Sequence, residues 1–132
     1  MRLKKELIFV DTNVVVWFLK GRPSVIEFFT ENIDRLASNI IIYLEVAHVY
    51  RRLMLRLRRS VDLTPVSAVF DSLLLLPVDV IDRRRLEELI VRYDLAPNDA
   101  MIAATCEHYG IHQIATYDED FTRVDFLKVI RP

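Results

Sequence analysis

Apolar positions along this chain fall into short runs that keep two different rhythms. Ile8-Phe9-Val10 is a compact run of β-branched and aromatic residues, which predicts a buried strand, and it stops abruptly at the acid Asp11. Val14 to Leu19 is apolar again and closes at Gly21, a residue type common just past a helix end. Pro23 and Ser24 open a second helical pattern, with Ile26, Phe29 and Ile33 at helical spacing and Glu27 and Glu31 outside that apolar set. The passage from Asp34 to Tyr43 is ambiguous. Arg35-Leu36-Ala37 suits a short strand and Ser38 or Asn39 suits a helix cap, yet the β-branched Ile40-Ile41-Ile42 also suits a strand.

From Leu44 to Ser60 the pattern predicts a helix. Ala47, Tyr50, Leu53, Met54, Leu57 and Val61 gather on one side at 100° per residue, with Val49 and Leu55 as exceptions. The other side carries Glu45, His48, Arg52, Arg56 and Arg59 at spacings of three and four, so an acid leads into a row of guanidinium groups. Thr64 as cap and Pro65 at the first helical position predict a further helix to about Leu75, followed by Pro77. Val78-Asp79-Val80-Ile81 reads as a strand, and Asp82 caps a helix with Leu86, Leu89, Ile90 and Tyr93 in the i, i+3, i+4, i+7 pattern. Pro97 starts another helix that ends near Gly110. Strands are then expected at Ile111 to Thr116 and at Phe126 to Ile130.

Strands alternating with helices in this way imply an α/β fold: three layers, α/β/α, around a central, mostly parallel sheet of about five strands. Right-handed crossovers bring the carboxyl ends of such strands to one edge, where ligands bind.

Composition narrows the picture. The 132 residues, 52% of them apolar, suffice for one domain spanning residues 1–132 with a real core. Eighteen Lys and Arg against nineteen Asp and Glu give a net charge of -1, so any nucleic-acid binding has to come from local patches. One cysteine, Cys106, excludes an intramolecular disulfide and fits a reducing, cytoplasmic home. Two glycines are too few for a Gly-rich phosphate loop. No apolar run approaches the roughly 18 residues of a membrane span, and the start Met1-Arg2-Leu3-Lys4-Lys5-Glu6 lacks the longer apolar region of a signal peptide.

Four acids fall where the carboxyl edge of the sheet is expected. Asp11 follows the first strand, Asp118 follows the strand ending at Thr116, Asp99 lies in the first turn after Pro97, and Glu45 lies early on its helix. Each has an ordinary structural explanation as well: Asp11 as a helix cap, Asp99 as a partner of the helix dipole, Asp118 as a turn former and Glu45 as a solvated surface acid. Together, carboxylates converging on one edge repel one another unless a cation joins them, and such hard oxygen ligands select Mg²⁺ or Mn²⁺ over zinc. Beside arginines, such a cluster suits phosphodiester hydrolysis, in which a divalent ion activates water, polarises the phosphoryl oxygen and stabilises the leaving oxygen.

Four motifs carry a resemblance: Phe9-Val10-Asp11-Thr12-Asn13, Leu44-Glu45-Val46, Asn98-Asp99-Ala100-Met101-Ile102-Ala103-Ala104, and Ala115-Thr116-Tyr117-Asp118-Glu119-Asp120-Phe121. In this order and at these separations the chain resembles a PIN domain, and among PIN domains the small VapC-type ribonuclease toxins. The resemblance covers nearly the whole length and implies a Mg²⁺- or Mn²⁺-dependent endoribonuclease. It implies Asp11, Glu45, Asp99 and Asp118 as the acidic ligand set, Asp120 as a secondary member, and Thr12, Asn13 and Thr116 as supporting polar residues. It further implies a homodimer, an RNA substrate and, for a toxin, a neutralising antitoxin whose tail occupies the active-site groove. The blurred passage before Glu45 departs from the family's usual strand followed by Ser or Thr. PIN domains also serve in RNA maturation and decay, which is the alternative to a toxin.

Arg52, Arg56 and Arg59 are candidates for RNA-phosphate or antitoxin contact, against the alternative of a solvated helix face. His48, His108 and His112 are too scattered for a triad, Cys106 reads as core, and Trp17 and Phe18 read as core or dimer surface. Two remoter readings remain. A phosphate-accepting signalling domain needs a second acid beside the first and a Lys after the last strand, whereas Asp11 has no acidic neighbour and Lys128 lies inside the last strand. A non-catalytic binding module does not need all four acids.

Overall fold

The chain is described by a computed structural model over residues 5–132; Met1 to Lys4, part of the start read as lacking a signal-peptide core, lie outside the described residues. Strands β1 (Ile8–Val10), β2 (Leu36–Asn39), β3 (Leu74–Leu76), β4 (Gln113–Ala115) and β5 (Lys128–Ile130) form one sheet in the order β3-β2-β1-β4-β5. All pairings are parallel, with Ile8 opposite Leu36 on one side and Gln113 on the other. The helices are α1 (Thr12–Leu19), α2 (Pro23–Asn32), α3 (Ile40–Arg56), α4 (Thr64–Asp71), α5 (Arg83–Tyr93) and α6 (Pro97–His108). Helices α1 to α4 pack among themselves and α5 packs on α6. The chain steps outward from β1 to β3 and then returns past β1 to β4. With right-handed crossovers that reversal puts the two helical groups on opposite faces, giving the three layers.

The central strand explains its own sequence. Ile8, Phe9 and Val10 are buried completely, as a parallel strand covered on both faces requires, so the run is continuous rather than alternating. Phe9, Phe29 and Phe121 are the largest fully buried side chains, and Phe29 stacks on Phe18 at 4.3 Å between ring centroids. Helix α6 buries Ala100, Ile102, Ala103, Ala104, Thr105 and Cys106, which leaves it almost no polar face. Cys106 is core, and burial pushes its thiol pKa up. Among the described residues no helix is long and apolar enough to cross a membrane.

Several boundaries differ from the sequence expectation. Ile40-Ile41-Ile42 is the first turn of α3, because the Asn39 side chain accepts from the Ile42 N–H and closes β2 at that point. Helix α3 stops at Arg56 rather than Ser60: Leu57 caps it and Arg58 turns left-handed at φ 55°, which carries Arg59 off the helix and out of the predicted stripe. Helix α4 ends at Asp71 instead of Leu75, and Thr64 is its first residue rather than a side-chain cap. The third strand is therefore Leu74–Leu76, whereas Val78 to Ile81 forms the turn into α5. The strands expected at Ile111 to Thr116 and Phe126 to Ile130 shorten to β4 and β5.

Candidate metal centre

Strand order reverses between β1 and β4, so the loops leaving these two neighbours diverge to opposite faces and open a crevice. A cleft of about 400 Å³ lies there, lined by Asp11, Glu45, Asp99 and Asp118 together with Thr12, Asn13, Val16, Trp17, Lys20 and Val49. All four acids proposed from the sequence thus face one space.

Each acid is held by its own local device. Asp11 is 5% exposed and caps α1: its Oδ1 accepts from the Thr12 N–H at 2.8 Å and its Oδ2 from the Thr116 hydroxyl at 2.7 Å. Burial raises its pKa, those two hydrogen bonds oppose the rise, and the nearby Glu45 and Asp118 add to it. Capping and cleft-lining are therefore one carboxylate's two roles. Glu45, partly buried on α3, accepts from the Thr12 hydroxyl and from the Asn98 side-chain amide at 3.1 Å. Asp118 follows β4 through Thr116, whose hydroxyl accepts from the Asp118 N–H at 2.9 Å while donating to Asp11. Its own Oδ1 accepts from the Asp120 N–H at 2.8 Å, starting the short 3₁₀ turn at Glu119–Arg123.

Asp99 sits in the first turn of α6 with no hydrogen-bond partner for its carboxylate among the described residues. Its pKa is pushed up to about 6, first by burial and then by Asp118, Asp11, Glu45 and Asp120. One carboxylate oxygen each from Asp99, Asp118 and Asp120 lie within 4.8 Å of one another. Asp120 is partly neutralised by Arg123 at 3.0 Å, and Arg123 also donates to the Tyr93 and Asp94 carbonyls, tying this turn to the end of α5. Asp11 and Glu45 complete the wall of the cleft with hydrogen bonds of their own.

The supporting residues divide. Thr12 and Thr116 bond directly to the acids, while Asn13 uses its side-chain oxygen to accept from the Tyr117 N–H at 3.2 Å and holds the β4 loop against α1. Arg52 and Arg56 line a second groove with Lys20, Val49 and Leu53, and Lys20 and Val49 also line the acid cleft, so the two spaces adjoin. Arg59 lies beyond α3 and outside that lining. His48 is exposed on α3.

Four further residues shape the site, of which Asn39, as a helix cap, and Trp17, as core or dimer surface, carry a sequence expectation of their own. Asn98, in the sequence only a member of the motif around Asp99, holds Glu45. Asn39 is fully buried and caps α3, the Glu45 helix, while its amide donates at 3.0 Å to Thr105 on α6, the Asp99 helix. Its polarity between buried Leu36-Ala37 and an isoleucine run was the available signal. Lys20 and Trp17 recur on the same side of α1 as Asn13 and Val16, but nothing local says which side faces the acids.

The donor set is oxygen alone: the three mutually close ligand atoms all belong to aspartates, and such sets suit hard divalent cations. A carboxyl pushed up by burial and, after it, by neighbouring carboxylates marks charge that a cation would relieve.

The chain is similar to known proteins in sequence and in fold. The sequence profile of the PIN domain matches residues 8–127. Ribonuclease VapC2 of Methanocaldococcus jannaschii is 31% identical over 144 aligned positions, covering 98% of this chain and 97% of that protein. Among solved structures, VapBC2 from Rickettsia felis bound to a DNA fragment from its promoter superimposes with a TM-score of 0.75 at 14% identity, covering 94% of this chain and 97% of that one. A toxin-antitoxin complex from Klebsiella pneumoniae gives a TM-score of 0.71 at 18% identity, with 94% and 96% covered.

Proposed function

Because the chain belongs to the PIN domain family, we propose that it is a divalent-metal-dependent endoribonuclease, using Mg²⁺ or Mn²⁺, and the toxin of a type II toxin-antitoxin pair. The observation that carries this reading is the cleft in which Asp11, Glu45, Asp99 and Asp118 face one another at the carboxyl edge of the sheet. Its other support is the likeness to a named ribonuclease along almost the whole of both chains.

In this reading Asp99, Asp118 and Asp120 hold the cation, with Asp11 and Glu45 as the remaining acidic ligands. A divalent cation there supplies Lewis-acid polarisation of a phosphoryl oxygen and stabilises charge on the leaving oxygen. The protein's own part is positioning. Thr116 and the Thr12 N–H fix both oxygens of Asp11, and Thr12 and Asn98 fix Glu45, so the ligands are oriented before anything binds. Lys20, Arg52 and Arg56 line the adjoining groove and offer cations to the phosphates of an RNA strand that the acids alone would repel.

The whole chain, residues 1–132, acts as one PIN-like domain in the cytoplasm, as a homodimer, and is silenced by an antitoxin whose tail enters the cleft. Cleavage-site mapping on total cellular RNA tests the chemistry. Discrete cuts are expected with Mg²⁺ or Mn²⁺, and none with chelator or in the Asp11→Asn protein. Undiminished cutting by folded Asp11→Asn protein would sink the reading. Growth arrest on expression, relieved by a small DNA-binding protein encoded beside it, separates a toxin from an RNA-maturation enzyme.

A further inference from the structure

Helix α1 turns Thr12, Asn13, Val16, Trp17 and Lys20 toward the acid cleft. Trp17 is the one large aromatic among the cleft-lining residues and is 39% exposed. The Lys20 ammonium lies 5.2 Å and the Arg22 guanidinium 5.0 Å from the indole centroid, and Arg22 also lies 5.3 Å from the ring of Tyr117. Lysine, indole, guanidinium and phenol therefore run side by side from the cleft onto the surface. Neither Lys20 nor Arg22 has an acidic partner among the described residues, although six other basic side chains have one. Their charge is thus directed to the aromatic faces and to solvent.

This combination has a chemical fit. An indole whose ring is covered by flexible, displaceable cations accepts the flat face of a nucleobase when they swing aside, and the cations then meet the phosphates on either side of it. A duplex cannot use such a surface, because its bases are stacked on one another, whereas a single strand can splay one base out. A hydrophobic partner protein would leave Lys20 and Arg22 stranded at the contact; a polyanion of stacked bases satisfies both features at once.

We propose that Trp17 is the stacking platform for one base of single-stranded RNA adjacent to the bond that is cut, with Lys20 and Arg22 holding the flanking phosphates. This rests on the RNA-cleaving reading above and adds a specificity element to it. Trp17 fixes which linkage is presented to the acids and makes single-strandedness a condition of cutting. It is a positioning residue toward the acids and takes no part in their chemistry.

The chain contains a single tryptophan, so indole emission reports this position alone. The measurement uses Asp99→Asn protein in Mg²⁺, titrated with a labelled single-stranded 12-mer and with the same strand in a duplex, following label anisotropy and indole emission together. Saturable emission quenching that tracks anisotropy is expected with the single strand, and markedly weaker binding with the duplex. Adding Trp17→Ala should weaken single-strand binding by about tenfold or more, with Trp17→Phe in between. In the otherwise wild-type protein, Trp17→Ala should raise KM at nearly constant kcat and blur the choice of cleavage site. Indole emission that stays unmoved while anisotropy saturates overturns the proposal, as do flat anisotropy and an unchanged KM and cleavage pattern in Trp17→Ala. Stacking detected in a protein that cuts no RNA upholds Trp17 and rejects the nuclease reading, so the two failures are distinguishable.

Discussion

Carboxylates in this protein live in two contrasting neighbourhoods. On the surface around α5, Glu87, Glu88, Glu107 and Asp125 each meet a guanidinium. Arg83 pairs with Glu87 at 2.6 Å, Arg92 with Asp125 at 3.1 Å, and Arg85 bonds Glu88 at 2.7 Å while forking onto both oxygens of Glu107 at 2.7 and 2.5 Å. The Arg85 fork holds the Glu107 carboxyl below its ordinary range. At the carboxyl edge of the sheet, Asp11, Glu45, Asp99 and Asp118 have no Lys or Arg within ion-pair distance among the described residues, and Asp11 and Asp99 are pushed up. Similar residues, oppositely placed, separate a neutral structural surface from concentrated negative charge. Natural sequences relieve such charge where it serves nothing, so its persistence here points to a cation.

Substitutions can break that contrast at either end. Asp11→Asn and Asp99→Asn should lower RNA cleavage by more than about 100-fold while circular dichroism stays native, since a ligand is worth at least as much as the groups that orient it. Next in size is Asn39→Ala, which removes both the α3 cap and the tie to Thr105 on α6. Mn²⁺ affinity should fall by about 10- to 100-fold, and thermal unfolding should register a loss of about 1–2 kcal/mol. Asn39→Ser, able to cap but not to reach Thr105, should recover stability more than affinity.

A smaller effect concerns pH. The Asp99 carboxyl has an ordinary value of 3.8 and a folded value of about 6, so between these values the folded state binds more protons than the unfolded state. Stability of the metal-free protein should therefore fall as pH rises from 4 through 6, and Tm at pH 5 should exceed Tm at pH 7. Asp99→Asn flattens that slope, and saturating Mn²⁺ raises Tm at pH 7 by mass action. A Tm of metal-free wild type that climbs from pH 5 to 7 with the same slope as Asp99→Asn would remove Asp99 as its cause. The smallest effect belongs to the paired surface: Arg85→Met should cost about 1 kcal/mol or less, diminish further in high salt, and leave cleavage unchanged.

The two neighbourhoods were also unequally legible. Asp11, Asp99 and Asp118 could be read because each is the local product of a strand end or a helix start: Asp11 and Asp118 cap the turns that follow their strands and Asp99 sits in the first turn of α6, positions that lie at the carboxyl edge. β2 and β3 were obscured for physical reasons. Four buried residues with the sequence Leu-Ala-Ser-Asn carry no alternation, and Leu74-Leu75-Leu76 continues the apolar rhythm of α4, so the helix seemed to run on. Val78 to Ile81 alternates like a strand but only bridges to α5, with Val80 exposed. The end of α3 was lost for a similar reason, since arginine periodicity continues to Arg59 although the backbone has already turned at Arg58. Asn39 with Thr105, and Trp17 with Arg22 and Tyr117, depend on how distant segments meet, and no local pattern carries that.

The central claim is that the acids gathered around Asp99 at the carboxyl edge, and not the ion-paired acids around α5, form a divalent-cation site. Isothermal titration of Mn²⁺ at pH 7 into wild type, Asp99→Asn and Glu107→Gln tests it most directly. Saturable binding by wild type and Glu107→Gln, with loss in Asp99→Asn, is the predicted result. Binding that is absent from wild type, or equal in wild type and Asp99→Asn, would contradict it.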